Sequence, residues 1–238
     1  MARTFGSLFA GIGGLDLGLS RAGWECRFQV EIAPYCRAVL KKHWPDVPRF
    51  GDIKEVSGDE LPRVDLLCGG FPCQPVSVAG RRGGTADDRW LWPEFARLVG
   101  ALRPRYVLVE NTPGLLTLGM GEVLGDLSRL GYDAEWSLVS ACAMGAPHTR
   151  ERLFIVADAD DELGTARVRS IPEHDRAGTL LPPRDRERRQ GWLAAVTGTR
   201  GGTHGLPADV DRLGALGNAV VPQVAEWIGR LLAAGDSG

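Results

Sequence analysis

Among the side chains able to do chemistry, Cys73 has the most telling setting, in Cys68-Gly69-Gly70-Phe71-Pro72-Cys73-Gln74-Pro75-Val76-Ser77. The apolar run Val64 to Leu67 leads into two glycines, after which this thiol lies close between two prolines. A structural cysteine is usually a small apolar residue inside a strand or helix, a role that suits Cys68. Cys73 instead follows a strand, in a polar loop of restrained backbone, which favours a nucleophile over a structural thiol. An arginine or a helix N-terminus nearby would have to lower its pKa. Glu110 closes the run Val107-Leu108-Val109, where it can serve as an acid or remain a solvated carboxylate. Arg150 and Arg152 alternate ahead of Leu153 to Val156. Their guanidinium groups offer fixed donors to a bound group, or simply solvate a strand start.

A second set of residues suits a nucleoside ligand. Phe9-Ala10-Gly11-Ile12-Gly13-Gly14-Leu15 is a glycine turn directly after an apolar run, and its glycines let the backbone approach a ligand closely. The dinucleotide pattern Gly-x-Gly-x-x-Gly fails because Asp16 takes the third place. Glu31, at the end of the next apolar run, can accept both hydroxyls of a ribose. Asp52, after Gly51, is placed to meet an adenine amino group. The turn alone also reads as a structural turn among surface acids; Glu31 and Asp52 in sequence order favour the ligand.

The elements that must carry these residues follow from periodicity. Strands are expected at Arg3 to Phe9, Cys26 to Val30, Val64 to Leu67, Tyr106 to Val109, Ala134 to Val139 and Leu153 to Ala157. Helices are expected from Leu15 to Ala22, Pro34 to His43, Pro93 to Leu102, Glu122 to Leu130 and Pro222 to Leu232. Alternating strands and helices predict a doubly wound, Rossmann-like α/β sheet with ligands at the carboxyl ends of its strands. The chain divides into an α/β domain over 1–157, a short recognition or linker segment over 158–210, and a C-terminal helical piece over 211–238 that packs back, expected to lie against the first strand. The middle segment has little periodicity and much Arg, Gly and Pro.

Of 238 residues, 44% are hydrophobic and 24% charged, an ordinary globular composition. The net charge of -2 gives no global basic field for nucleic acid, so any such contact must be local. Five cysteines, an odd number without a Cys-x-x-Cys pair, and four histidines suggest neither a disulfide framework nor a metal site. No secretion signal or membrane-length apolar run occurs, which predicts a soluble protein of a reducing compartment.

Phe-Ala-Gly-x-Gly-Gly at 9–14, Gly-Gly-Phe-Pro-Cys-Gln-Pro at 69–75, Glu-Asn at 110–111, Arg-Glu-Arg at 150–152 and Gly-Asn-Ala-Val-Val-Pro at 217–222 resemble, in order, the motifs of cytosine-C5 DNA methyltransferases. The resemblance covers about residues 4–157 and 212–233. It implies an S-adenosylmethionine-dependent enzyme of bacterial or phage type, as found in restriction–modification, acting on double-stranded DNA in the cytoplasm as a monomer without a metal. By that resemblance Cys73 attacks C6 of a flipped cytosine, Glu110 contacts N3 and the exocyclic amine, Arg152 holds O2 and Arg150 lies close by. S-adenosylmethionine, leaving as S-adenosylhomocysteine, would be held by Phe9, Gly11, Gly13, Gly14, Leu15, Glu31, Ile32, Asp52, Ile53, Pro72, Leu91, Asn218 and Ala219. Gln74, Ser77, Arg81 and Arg82 would meet DNA, the last two on a glycine-hinged loop closing behind the flipped base.

The chain departs from the family in several places, among them the arginine-bearing motif usual ahead of the final Gly-Asn motif, of which Asp211-Arg212 is at most a remnant. About fifty residues stand where a sizeable target-recognition domain is usual, His148 replaces the usual Gln before Thr149, and only Lys41, Lys42 and Lys54 supply lysine. Phosphate contacts would then fall to arginines such as Arg184, Arg186, Arg188 and Arg189, unless that stretch is a solvated linker. Two other functions remain: a family member that binds without efficient catalysis, and a methyltransferase acting on tRNA cytosine.

Overall fold

A computed structural model describes residues 2–72, 90–146, 150–159 and 219–235. Cys73, Gln74, Ser77, Arg81, Arg82, His148, Asn218 and the arginines of 160–210 lie outside the described residues.

Strand β1 (Thr4–Leu8) pairs in parallel with β2 (Glu25–Val30) on one side and β4 (Leu66–Gly69) on the other. Beyond β2 lies the two-residue β3 (Arg49–Phe50), and beyond β4 lies β5 (Tyr106–Asn111), both parallel. The chain then forms β6 (Tyr132–Ser140) at the sheet's edge and returns as β7 (Glu151–Ala159), antiparallel between β5 and β6. The order is therefore β3-β2-β1-β4-β5-β7-β6, a seven-stranded mixed sheet. One geometric result matters for the site. Because β7 runs against its neighbour, its start lies at the same sheet edge as the carboxyl ends of the parallel strands, with Asn111 opposite Leu153 and Glu110 opposite Phe154.

Helices cover both faces, as the apolar character of strands on both sides requires. Helices α3 (Trp92–Leu102), α4 (Leu115–Leu118) and α5 (Met120–Arg129) lie over a core that includes Leu67, Val107, Val109, Leu153 and Ile155. Helices α1 (Gly14–Arg21) and α6 (Pro222–Gly235) cover the other face, over Phe5, Leu66, Cys68, Leu108, Phe154 and Val156. The end of α2 (Pro34–His43) joins that layer through Trp44. Adjacent residues of β5 and of β7 thus serve different cores, as the two-residue period of a strand dictates.

The terminal helix packs back on the sheet's core, where it runs closest along α1. Small residues cause this. A Cβ on Gly14 would stand 2.5 Å from the Val220 carbonyl oxygen, and one on Gly18 would stand 2.3 Å from that of Pro222 and 2.5 Å from the Ala225 Cβ. The two segments are therefore in direct backbone contact on this face of the sheet. Trp24 Nε1 donates to the Gly229 carbonyl at 2.9 Å and Arg3 Nη2 to that of Ala233 at 2.6 Å. Among the described residues, no helix is long and apolar enough to cross a membrane.

Candidate active site

The ends of β1, β2, β4 and β5 and the start of β7 lie at one sheet edge, and Glu31 with the glycine turn and Glu110 with Arg152 are found there. Glu110 and Arg152 face the α1 and α6 side of the sheet. Arg152 Nε lies 3.0 Å from Glu110 Oε1, and Glu110 is only 8% exposed. Burial pushes the Glu110 carboxyl up to about 7, while Arg152 and then Arg150 act to lower it. The result is an acid that titrates near neutrality, as a proton donor or acceptor at physiological pH needs. Arg150 and Arg152 also line a small cleft with Val139, Phe154, Val220 and Val224, between the sheet and the start of α6.

The root of the Cys73 loop abuts this carboxylate. A Cβ on Gly70 would stand 2.6 Å from Glu110 Oε2, so only glycine leaves room for the acid in this place. Cys68 is fully buried, and burial pushes its thiol well above the ordinary cysteine value, which suits the structural role expected of it.

On the ligand side, Glu31 makes a bond that the sequence did not disclose. Its Oε2 accepts the Gly11 amide and its Oε1 the Ala33 amide, both at 2.7 Å, so the acid ties the glycine turn to the end of β2. Each carboxylate oxygen retains acceptor capacity for a further donor. Gly11 adopts φ +57° with open space where a Cβ would stand, leaving room for a ligand to approach the backbone. Phe9 is also left-handed, at φ 52°, and its ring stacks on Phe95 at 6.5 Å. A non-glycine residue held there is unusual and marks a backbone shaped by more than local preference. Ile32 is 65% exposed beside Glu31, and Asp52 Oδ1 accepts the Lys54 amide at 3.0 Å.

Other expected ligand residues are buried or half-buried. Leu15 and Ile53 turn their side chains into the two cores. Gly13, at φ +85°, is held beneath Trp44, whose ring a Cβ would meet at 2.6 Å. Leu91 packs partly against the core beneath α3. Pro72 ends the described part of the loop, and Ala219 begins the stretch whose Val220 backbone presses on Gly14.

Residues 3–178 match the family model described as C-5 cytosine-specific DNA methylase. The chain belongs to this family. The Type II methyltransferase M.DsaV of Dactylococcopsis salina is 37% identical over 161 residues, 66% of this chain and 46% of the relative. M.HhaI of Haemophilus parahaemolyticus, also a Type II methyltransferase, is 33% identical over 162 residues, 66% and 49% of the two chains. A solved prophage-encoded E. coli protein, described as a DNA modification methyltransferase, superposes with a TM-score of 0.58 at 28% identity, covering 66% of this chain and 47% of its own. The chain spans about half the length of the curated relatives it matches. Among the described residues, no cluster of His, Cys, Asp and Glu could hold a metal ion.

Proposed function

We propose that this chain methylates C5 of cytosine in double-stranded DNA, with Cys73 as nucleophile. The observation that carries the reading is the buried Glu110, titrating near 7 and paired with Arg152, beside the root of the Cys73 loop. Cytosine C5 is too weak a nucleophile to take a methyl group unaided. Addition of the Cys73 thiolate to C6 places electron density on C5, dividing one hard step into easier ones. Glu110 in its neutral form donates to N3 as C6 is attacked, and Arg152 fixes O2. C5 then takes the methyl group that S-adenosylmethionine would supply, the electrons of the broken S–C bond staying on the departing thioether. A base removes the C5 proton, N3 returns its proton to Glu110, and expulsion of the Cys73 thiolate restores the C5–C6 double bond. The base must leave the duplex for this chemistry, since its reacting atoms are stacked inside DNA.

The glycine turn and Glu31 fit an adenosyl ligand, given the open approach at Gly11 and the free acceptor capacity of Glu31. Glu31 would hold the ribose hydroxyls, Ile32 would pack against the adenine and Asp52 would meet its amino group. S-adenosylmethionine bound there supplies an electrophilic methyl group. Gln74, Ser77, Arg81 and Arg82 would contact DNA, Asn218 and Ala219 would close the ligand site, and the enzyme would work in the cytoplasm.

The test is incubation with methyl-labelled S-adenosylmethionine and duplex DNA or tRNA, alongside Cys73→Ser. Label should enter duplex DNA with the wild type and be lost with Cys73→Ser. Label in neither nucleic acid refutes the enzyme reading, and label in tRNA alone redirects it.

A further inference from the structure

Asn111 follows Glu110 and, by strand alternation, projects to the opposite face of the sheet, where it is only 2% exposed. Its Nδ2 donates to the Phe71 carbonyl at 3.2 Å, and its Oδ1 accepts the Thr112 amide at 2.8 Å. Phe71 directly precedes Pro72-Cys73. The Phe71 ring is wedged edge-on against Trp90 at 5.1 Å and tilted on Trp92 at 5.7 Å. Both indoles are themselves tied to α5, Trp90 Nε1 to Glu122 and Trp92 Nε1 to Asp126, each at 2.8 Å. Side chain and main chain of Phe71 are thus both held. Next to it, Gly70 admits the Glu110 carboxylate with no room to spare.

We propose that Asn111 is a positioning residue for the thiol: by holding the Phe71 carbonyl, it sets where the Cys73 loop leaves the sheet relative to Glu110. The strand end then serves two purposes, with Glu110 facing the base on one side and Asn111 anchoring the nucleophile's loop on the other. A buried amide whose two ends are both satisfied suits this task, because losing the Nδ2 donor leaves the Phe71 carbonyl unpaired. This inference rests on the reading of Cys73 as the nucleophile.

The discriminating variant is Asn111→Asp, which keeps size and the acceptor for Thr112 but sets a carboxylate against the Phe71 carbonyl. Single-turnover methyl transfer to duplex DNA should fall about 10²-fold, the scale of a displacement near 1 Å at a reacting centre. Binding of S-adenosylhomocysteine, held mainly through Glu31 and the glycine turn, should be retained within about a few-fold and certifies a folded protein. An unaltered transfer rate overturns the proposal. A second arm works without methyl transfer: alkylation of Cys73 by iodoacetamide across pH, read by peptide mass spectrometry, with the exposed Cys142 as internal reference. Asn111→Asp should shift the rate and pH midpoint at Cys73 while leaving Cys142 alone, and identical Cys73 profiles overturn the proposal. If wild-type protein methylates no nucleic acid, the proposed function fails while this arm still decides on Asn111. Should Asn111→Asp not fold, Asn111→Ser takes its place with the same two outcomes.

Discussion

Burial and two guanidinium groups act on Glu110 in opposite directions, and burial prevails, leaving the acid near 7 against an ordinary 4.5. Since the folded value is the higher one, stability from the neutral acid is fully present below the unfolded value and is lost as pH rises through about 7. Wild-type urea midpoints should therefore fall relative to Glu110→Gln between about pH 5 and 8, by up to about 3 kcal/mol in unfolding free energy. Parallel profiles would contradict this account. Turnover should follow the same group, declining as pH rises past about 7, because the donor to N3 is the protonated form. The positions of Glu110 and Arg152 near strand ends were legible in the sequence, whereas their roles came only from the family resemblance. The bonds of Glu31 to two backbone amides and the hold of Asn111 on Phe71 were not legible there. A side chain's partners far along the chain leave no local pattern, and only the adjacency of Glu110 and Asn111 in one motif hinted that the second residue had a task.

Most elements were readable from periodicity, often to within a residue or two, as with Pro34–His43 and Trp92–Leu102. The pairing of the strands was not. Nothing in Glu151–Ala159 says that it slides between β5 and β6, yet that placement is what brings Arg152 to Glu110. Short pieces such as Arg49–Phe50 and Leu115–Leu118 escaped because they are too brief to show a period. The seam between α1 and α6 makes its own prediction. Gly18→Ala, whose methyl would meet the Pro222 carbonyl and Ala225, should destabilise by about 1–3 kcal/mol. Gly11→Ala meets open space but must hold φ +57°, and should cost about 1 kcal/mol. Its larger effect should be on ligand binding. Urea titration with and without S-adenosylhomocysteine separates the two, and equal stability losses with equal binding would count against the division.

At the scale of the whole molecule, ligand and fold should be linked through Glu31, which joins β2 to the glycine turn after β1. S-adenosylhomocysteine at about 100 times its dissociation constant should stabilise the wild type by about 2.7 kcal/mol. In Glu31→Ala the melting temperature should be lower to begin with and the ligand-induced rise should vanish. A rise equal to that of the wild type would remove Glu31 from the ligand site. The bond from Arg3 to Ala233 carries a consequence of another kind. The helix that completes one face of the sheet lies far along the chain from the helix it packs on. Until Val224, Ala225 and Ile228 emerge, Leu15, Leu19 and Trp24 lack that cover, and the nascent chain must carry the bare apolar surface while the whole sheet is synthesised. The same adjacency makes the fold close to circular. Joining the chain near Arg3 and Ala233 and opening it in an exposed turn would keep the native contacts while letting both helices of the seam be born together.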